Sequence, residues 1–172
     1  MTSPLAPPAS LLFVCLGNIC RSPLAEGVMR RLVSDSGLEG DVHVDSAGTA
    51  AYHAGEGPDP RSVAVAVDRG GITLEGRARR VVPSDFESFD WIFAMDTSNL
   101  RDLEHQRRHR GGKARLTLLR AFDPDAPGKD AEVPDPYYGG PDGFDLIYDQ
   151  IERSCRSFLE EEFGVVADDA TG

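Results

Sequence analysis

The chain has 172 residues, 40% of them hydrophobic and 27% charged, which are the proportions of a globular protein rather than a disordered one. That length allows about one domain with a well-buried core, and no apolar run approaches the ~18–20 residues a membrane helix needs. The net charge of −11 argues against the extended basic face of a nucleic-acid binder.

The charge is unevenly placed. Residues 1–120 hold 15 basic and 15 acidic side chains, whereas residues 121–172 hold 3 basic and 14 acidic. Both the basic run at 101–120 and the acidic C-terminal part read as solvated surface. The opening MTSPLAPPAS has no Lys or Arg, so it is expected to be a mobile tail over 1–9 rather than a secretory signal. Three cysteines are an odd count in a chain that needs no staples. A reducing cytoplasm is the expected compartment, with export by a route that needs no signal peptide left open.

Residues 11–15, LLFVC, form a continuous apolar run that reads as a buried strand. Ser22-Pro23 then gives a cap-then-proline helix start, with Leu24, Val28 and Leu32 as its apolar stripe and Gly37 as its stop. Residues 42–46 alternate as a second strand. Asp59-Pro60 repeats the helix-start signal, and Gly70-Gly71 closes that helix. Residues 90–95 make a third strand, and Asp96 can cap the helix that follows. Residues 115–119 make a fourth strand, 123–143 a Pro/Asp/Gly-rich loop, and about 142–163 a last helix with Phe144, Ile147, Ile151, Cys155 and Phe158 on one stripe. Strands alternating with helices predict a parallel sheet covered on both faces, with its ligand site beyond the strands' carboxyl ends.

The first strand-to-helix turn, VCLGNICRSP, is therefore the place to look. Five residues separate Cys15 from Arg21, enough to curl a loop whose amide N–H groups point inward as an anion nest beside a helix N-terminus. Arg21 supplies a planar fork for phosphate oxygens. Gly17 permits positive φ at low cost, and Asn18 tolerates left-handed geometry and can tie the loop to its neighbours. The field that holds an anion also favours a thiolate, and Ser22 can donate its hydroxyl to that sulfur. One loop thus combines a phosphate cradle with an activated nucleophile.

Transfer of phosphoryl from tyrosine to such a cysteine needs an acid, because the leaving group is a phenolate whose parent pKa is about 10. The candidate is Asp135, stiffened between Pro134 and Pro136 and followed by Tyr137 and Tyr138.

Taken together, Cys15 through Ser22 and the DPYYGG segment resemble the phosphate-binding signature and general-acid loop of the low-molecular-weight protein tyrosine phosphatases. VDSAGTA at 44–50, GEGPDPRS at 55–62 and DFESFDWIFAMDTSNLRDL at 85–103 extend the resemblance from about residue 10 to residue 163. It implies an α/β fold with one domain over residues 10–165 and a mobile C-terminal tail at 166–172. The sheet would have four parallel strands in the order 2-1-3-4, helices on both faces, and the phosphate-binding loop after the first strand. It implies Cys15 as nucleophile, Arg21 as phosphate clamp and Asp135 as acid and then base. Leu16, Gly17, Asn18, Ile19, Cys20 and Ser22 would complete the loop. Ser46 and Asp96 would support it, and Tyr52, Tyr137 and Tyr138 would wall a slot for an aryl phosphate. Phosphotyrosine proteins, a tyrosine kinase among them, would be the partners of a monomeric or weakly self-associating enzyme. No nucleic acid, membrane, metal or other cofactor is expected.

The sequence departs from the family in two places. Tyr52 stands where Trp is common, and Gly76 stands where the HxAR segment usually has His. In the family, the cysteine matching Cys20 can close a reversible disulfide with the nucleophile. Cys155 reads as plain core. The four histidines are scattered; His105 and His109 lie at i, i+4 on a basic helix without a third metal ligand. Thiol-dependent arsenate reductases share the fold and loop but need further cysteines, and residues 71–100 contain none. Phosphoarginine phosphatases typically carry Thr where Ile19 stands and lack the tyrosine pair. A catalytically dead phosphotyrosine binder is hard to reconcile with an intact Cys15, Arg21 and Asp135.

Overall fold

The computed structural model of the chain describes residues 8–108, 111–137 and 142–165. Four parallel strands form one sheet in the order β2-β1-β3-β4. The strands are β1 (Ala9–Cys15), β2 (Val42–Gly48), β3 (Trp91–Ala94) and β4 (Arg115–Leu118). The helices are α1 (Arg21–Asp35), α2 (Pro60–Gly70), a short α3 (Asp85–Ser88), α4 (Thr97–Arg107) and α5 (Asp142–Phe163).

β1 is central, pairing with β2 through Phe13↔Ser46 and with β3 through Phe13↔Phe93. Both of its faces are buried, which is why its apolar residues run on without alternation. Leu11, Phe13 and Cys15 face the larger core with α1 and α5. Leu12 and Val14 face the smaller one, with Phe86 of α3, Ile92 and Leu103 of α4. In the larger core Phe13 stacks on Phe93 at 5.0 Å, and Phe158 of α5 meets Phe93 edge-on at 4.9 Å, the geometries aromatic quadrupoles favour.

Local signals explain the ends. Gly37 at φ 75° turns the chain after α1, and Asp59 caps α2 by accepting Arg61 N–H at 2.8 Å. Asp96 caps α4 in a reciprocal box with Asn99. Several bounds differ from the sequence expectation. β1 starts at Ala9 because Ala9 pairs with Val42, and β2 continues to Gly48 because Gly48 pairs with Cys15. β4 stops at Leu118, and Leu119–Phe122 turns as a 3₁₀ helix. The four residues of α3 are too few to show a periodic stripe.

The chain passes from β1 to β2 on one side and then returns to β3 on the other. This reversal opens a crevice at the carboxyl ends of β1 and β3, where Cys15 and Asp96 stand.

Candidate active site

Between Cys15 and α1 the loop curls around its own amides. Thr49 N–H and Ala50 N–H donate to the carbonyls of Cys15 and Leu16 at 2.9 and 3.0 Å, holding the loop's outer edge. Asn18 is left-handed at φ 58°, the one non-glycine residue so placed among those described. Gly17, which could adopt positive φ, does not. A Cβ on Gly17 would lie 2.9 Å from His53 Cδ2, so any larger residue there would require the His53 ring to shift. The amide N–H groups of residues 16–20 meet no backbone or side-chain acceptor among the described residues, which leaves them free for an anion.

Ser22 does not cap α1 either. The helix starts two residues earlier than that cap would give, at Arg21, with Cys20 at the cap position and no side-chain cap. The Ser22 hydroxyl is committed elsewhere: Oγ lies 3.0 Å from Cys15 Sγ and accepts from Asn18 Nδ2 at 2.8 Å. Asn18 Nδ2 also donates to Ser46 Oγ at 3.0 Å, while its Oδ1 accepts Arg79 N–H at 3.0 Å. Thus the β2 end and the 79–80 segment clamp the loop from behind.

Arg21 is buried, with 2% of its surface exposed. Its Nη1 donates to Asp96 Oδ2 at 2.7 Å and to the Val133 carbonyl at 2.9 Å, and its Nη2 lies 3.7 Å from Asp135 Oδ2. Burial works against its charge, but Cys15, Asp96 and Asp135 outweigh burial and hold its pKa above the ordinary value. Asp96 therefore serves two neighbours: Oδ1 caps α4 and Oδ2 fixes Arg21. Asp135 Oδ1 accepts Tyr137 N–H at 2.9 Å, which fixes the carboxylate within its own turn.

A cavity of about 280 Å³ is lined by Cys15, Ile19, Arg21 and Asp135, with Leu16, Tyr52, His53 and Tyr137 also around it. Tyr52 is 76% exposed and stands at the mouth rather than deep in a wall. Tyr138 and His109 lie outside the described residues. Among the described residues, no group of three or more His, Cys, Asp or Glu is placed to hold a metal ion.

Cys20 also borders the cavity. Burial, then Asp59, Cys15 and Asp135, push its thiol up to about 12. Arg61 joins this corner to the acid loop: it pairs with Asp59 at 3.0 Å, donates to the Tyr137 carbonyl at 3.2 Å, and lies over the Tyr137 ring at 5.3 Å. Cys155 is fully buried in the larger core. All three cysteines are free thiols. At Gly76 the chain is left-handed, at φ 92°, and lines a second cavity of about 230 Å³ behind the loop, with Asn18, Glu26 and Ser46.

Sequence reasoning passed over four contributors: Glu26, His53, Arg61 and the Val133 carbonyl. Glu26 and Arg61 look like ordinary surface charges on helices, and a backbone carbonyl leaves no trace in a sequence. His53 had a usable signal, since it adjoins Tyr52. Its Nδ1 lies 3.0 Å from Glu56 Oε2, and its ring is 6.4 Å from that of Tyr137.

Three comparisons complete the description. A family model described as low molecular weight phosphotyrosine protein phosphatase matches residues 10–165. A Gallus gallus protein of that name is 46% identical over 153 residues, which are 88% of this chain and 94% of the chicken one. Among solved structures, a protein tyrosine phosphatase from Entamoeba histolytica matches with a TM-score of 0.78 and 40% identity, covering 88% of this chain and 94% of that one. A drosophila arginine phosphatase matches with a TM-score of 0.81 and 37% identity, covering 87% and 95%.

Proposed function

Since the chain belongs to the low molecular weight phosphotyrosine protein phosphatase family, we propose that it hydrolyses phosphotyrosine in protein substrates through a phosphocysteine intermediate. The observation that carries this reading is the convergence of Cys15, Arg21 and Asp135 on one cavity lined by the 16–20 loop.

In the first step the Cys15 thiolate attacks phosphorus. The S–P bond forms, the P–O bond to the tyrosine ring breaks, and Asp135 as carboxylic acid gives its proton to the departing phenolate oxygen. The loop amides and Arg21 hold the three equatorial oxygens as charge builds on them. In the second step water attacks phosphorus, Asp135 as carboxylate takes the water proton, and the S–P bond breaks to return the thiolate. Ser22 steadies the sulfur in both steps. Asn18 and Ser46 keep the loop in shape, and Asp96 holds Arg21 in its plane. Tyr52 and Tyr137 receive the substrate ring, with Tyr138 as a further wall.

In this reading residues 9–165 are the catalytic unit: Ala9, expected in the N-terminal tail, opens β1 and is buried. The enzyme works as a monomer or weakly self-associating chain in a reducing cytoplasm, a compartment that suits its three free thiols. Its partners are phosphotyrosine proteins, including a tyrosine kinase. Cys20 protects Cys15 from over-oxidation by closing a reversible disulfide with it.

The deciding experiment is a peptide panel carrying phosphotyrosine, phosphoserine, phosphothreonine or phosphoarginine, run with the wild type and Cys15→Ser. Phosphotyrosine should be cleaved by the wild type alone, with Cys15→Ser still binding inorganic phosphate or vanadate through the amides and Arg21. Preferred cleavage of phosphoarginine would move the chain to the chemistry named for the drosophila relative. Retention of phosphotyrosine without turnover would make it a binding protein.

A further inference from the structure

Arg61 lies in the first turn of α2, with 44% of its side chain exposed, and does not line the phosphate cavity. It nevertheless bridges the two loops whose residues meet across that cavity. Toward the phosphate loop it grips Asp59 as a fork, with Nε donating to Oδ1 at 3.1 Å and Nη2 to Oδ2 at 3.0 Å. Toward the acid loop its Nη1 donates to the Tyr137 carbonyl at 3.2 Å.

Both ends of this bridge are fixed. Asp59 N–H donates to the Ile19 carbonyl at 2.8 Å, so the fork starts from the phosphate loop itself. Burial raises the Asp59 carboxyl, but the guanidinium and N–H of Arg61 outweigh burial and hold it below the ordinary range, ionised and acceptor-only. At the other end Tyr137 N–H donates to Asp135 Oδ1 at 2.9 Å. The N–H of Tyr137 thus holds the acid, and its carbonyl is held by Arg61. The other cation facing Asp135, Arg21, stands 3.7 Å away, beyond hydrogen-bond reach. An exposed ion pair on a free side chain contributes little. Here the guanidinium lies over the Tyr137 ring at 5.3 Å and the Phe144 ring at 4.8 Å, which limits its freedom and fixes the Tyr137 ring as well.

We propose that Arg61 is a positioning residue for the acid: it ties the Asp135–Tyr137 turn to the phosphate loop, so that the Asp135 carboxyl faces the leaving oxygen while phosphorus sits on Cys15. The proposal rests on Asp135 being the acid. A cation in the first turn of a helix works against the helix dipole, which is the cost of joining the two loops from this position.

The test measures Arg61→Lys and Arg61→Met, alone and combined with Asp135→Asn, on a phosphotyrosine peptide and on nitrophenyl phosphate. Lysine keeps a charge beside Asp59, but one ammonium cannot hold both carboxylate oxygens and the Tyr137 carbonyl. Methionine removes the charge and keeps an apolar stem against the rings. A misaimed acid forfeits part of the ~10²–10⁴-fold that a positioned one contributes, so either variant should lower kcat on the peptide about tenfold more than on nitrophenyl phosphate, whose leaving group needs the acid less. Inhibition by inorganic phosphate should stay unchanged. In the Asp135→Asn background neither substitution should lower kcat further, because there is no acid left to aim. Equal losses on the two substrates, losses that multiply with Asp135→Asn, or an unchanged kcat on the peptide would overturn the proposal. Should Arg61→Met not fold, Arg61→Lys, which leaves Asp59 paired, carries the test alone. Equal losses on both substrates in Asp135→Asn itself would remove the acid, and this proposal with it. A wild type that does not cleave phosphotyrosine would instead sink the phosphatase reading.

Discussion

Asp135 is held by Tyr137 N–H at 2.9 Å and faces Arg21 at 3.7 Å, so its role as acid can be tested by the leaving group. An acid matters most when the leaving group is basic. Asp135→Asn should slow a phosphotyrosine peptide by about 10²–10⁴-fold and slow nitrophenyl phosphate far less; equal losses on both substrates would remove Asp135 from that role. Cys20 gives a second prediction at the same scale. Its thiol is pushed up to about 12 by burial and by Asp59, so at neutral pH almost none of it is thiolate. Capture of peroxide-oxidised Cys15 by Cys20 should therefore quicken about tenfold per pH unit as pH rises from neutrality. Mass spectrometry of the Cys15–Cys20 linkage follows the rate, and Cys20→Ser should lose activity irreversibly instead. A rate independent of pH, or no linkage, would leave Cys20 as packing. Single residues also mark where a sequence misleads. Ser22-Pro23 reads as a helix cap, yet the Ser22 oxygen accepts from Asn18 Nδ2 and lies against Cys15 Sγ instead. Of the two loop residues that tolerate left-handed geometry, Asn18 takes it, and Gly17 lies close to His53.

The element that carries Asp135 has no helix or strand, and the sequence marks it only as a long loop. The structure pins it at both ends of its approach. Val133 N–H donates to the Met95 carbonyl at 2.8 Å, and Glu132 accepts from Thr97 N–H and Oγ1 at 2.8 and 2.6 Å. Upstream, Asp123 has no exposed side-chain surface, and it accepts from Arg120 at 2.9 Å and Arg153 at 3.0 Å. Arg120 also reaches the Glu132 carbonyl at 3.0 Å. One carboxylate thus ties the 3₁₀ turn, α5 and the acid loop together. Composition cannot reveal such a knot, because its members are spread over residues 120, 123, 132 and 153 and each alone resembles surface charge. Burial raises the Asp123 carboxyl, but Arg153, the Asp125 N–H and Arg120 outweigh it and hold it below the ordinary range. A carboxylate depressed in the folded state contributes stability above its unfolded pKa and loses it as pH falls through the folded value. Asp123→Asn should therefore cost about 2 kcal/mol at neutral pH, and the gap to the wild type should close as the pH drops below that of ordinary carboxylates. Urea unfolding at several pH values measures this; a gap that stays constant into acid would mean that the charge of Asp123 is not what stabilises the knot.

Over the whole molecule, the parallel sheet and the location of the crevice follow from strand–helix alternation alone, because fully buried strands and cap-then-proline helix starts are local signals. Strand order is not local. Here β1 pairs with both β2 and β3, and that arrangement places Cys15 and Asp96 side by side. The same architecture sets how far a substrate must reach. Cys15 is 3% exposed and lies at the inner end of a cavity whose mouth carries Tyr52 and Tyr137, 76% and 39% exposed. A phosphoserine has one methylene between its backbone and its phosphate, too short to bring phosphorus to the sulfur while the peptide backbone stays outside. A phosphotyrosine ring spans that distance and gains about 0.5–1.5 kcal/mol per aromatic pair beyond area burial. Phosphotyrosine peptides should therefore exceed phosphoserine peptides in kcat/KM by orders of magnitude. Tyr137→Ala should lower the phosphotyrosine value while leaving inhibition by inorganic phosphate unchanged, since phosphate binds below the ring. The chain would not be selecting by depth if both peptides were cleaved alike, or if Tyr137→Ala weakened phosphate inhibition as strongly as peptide turnover.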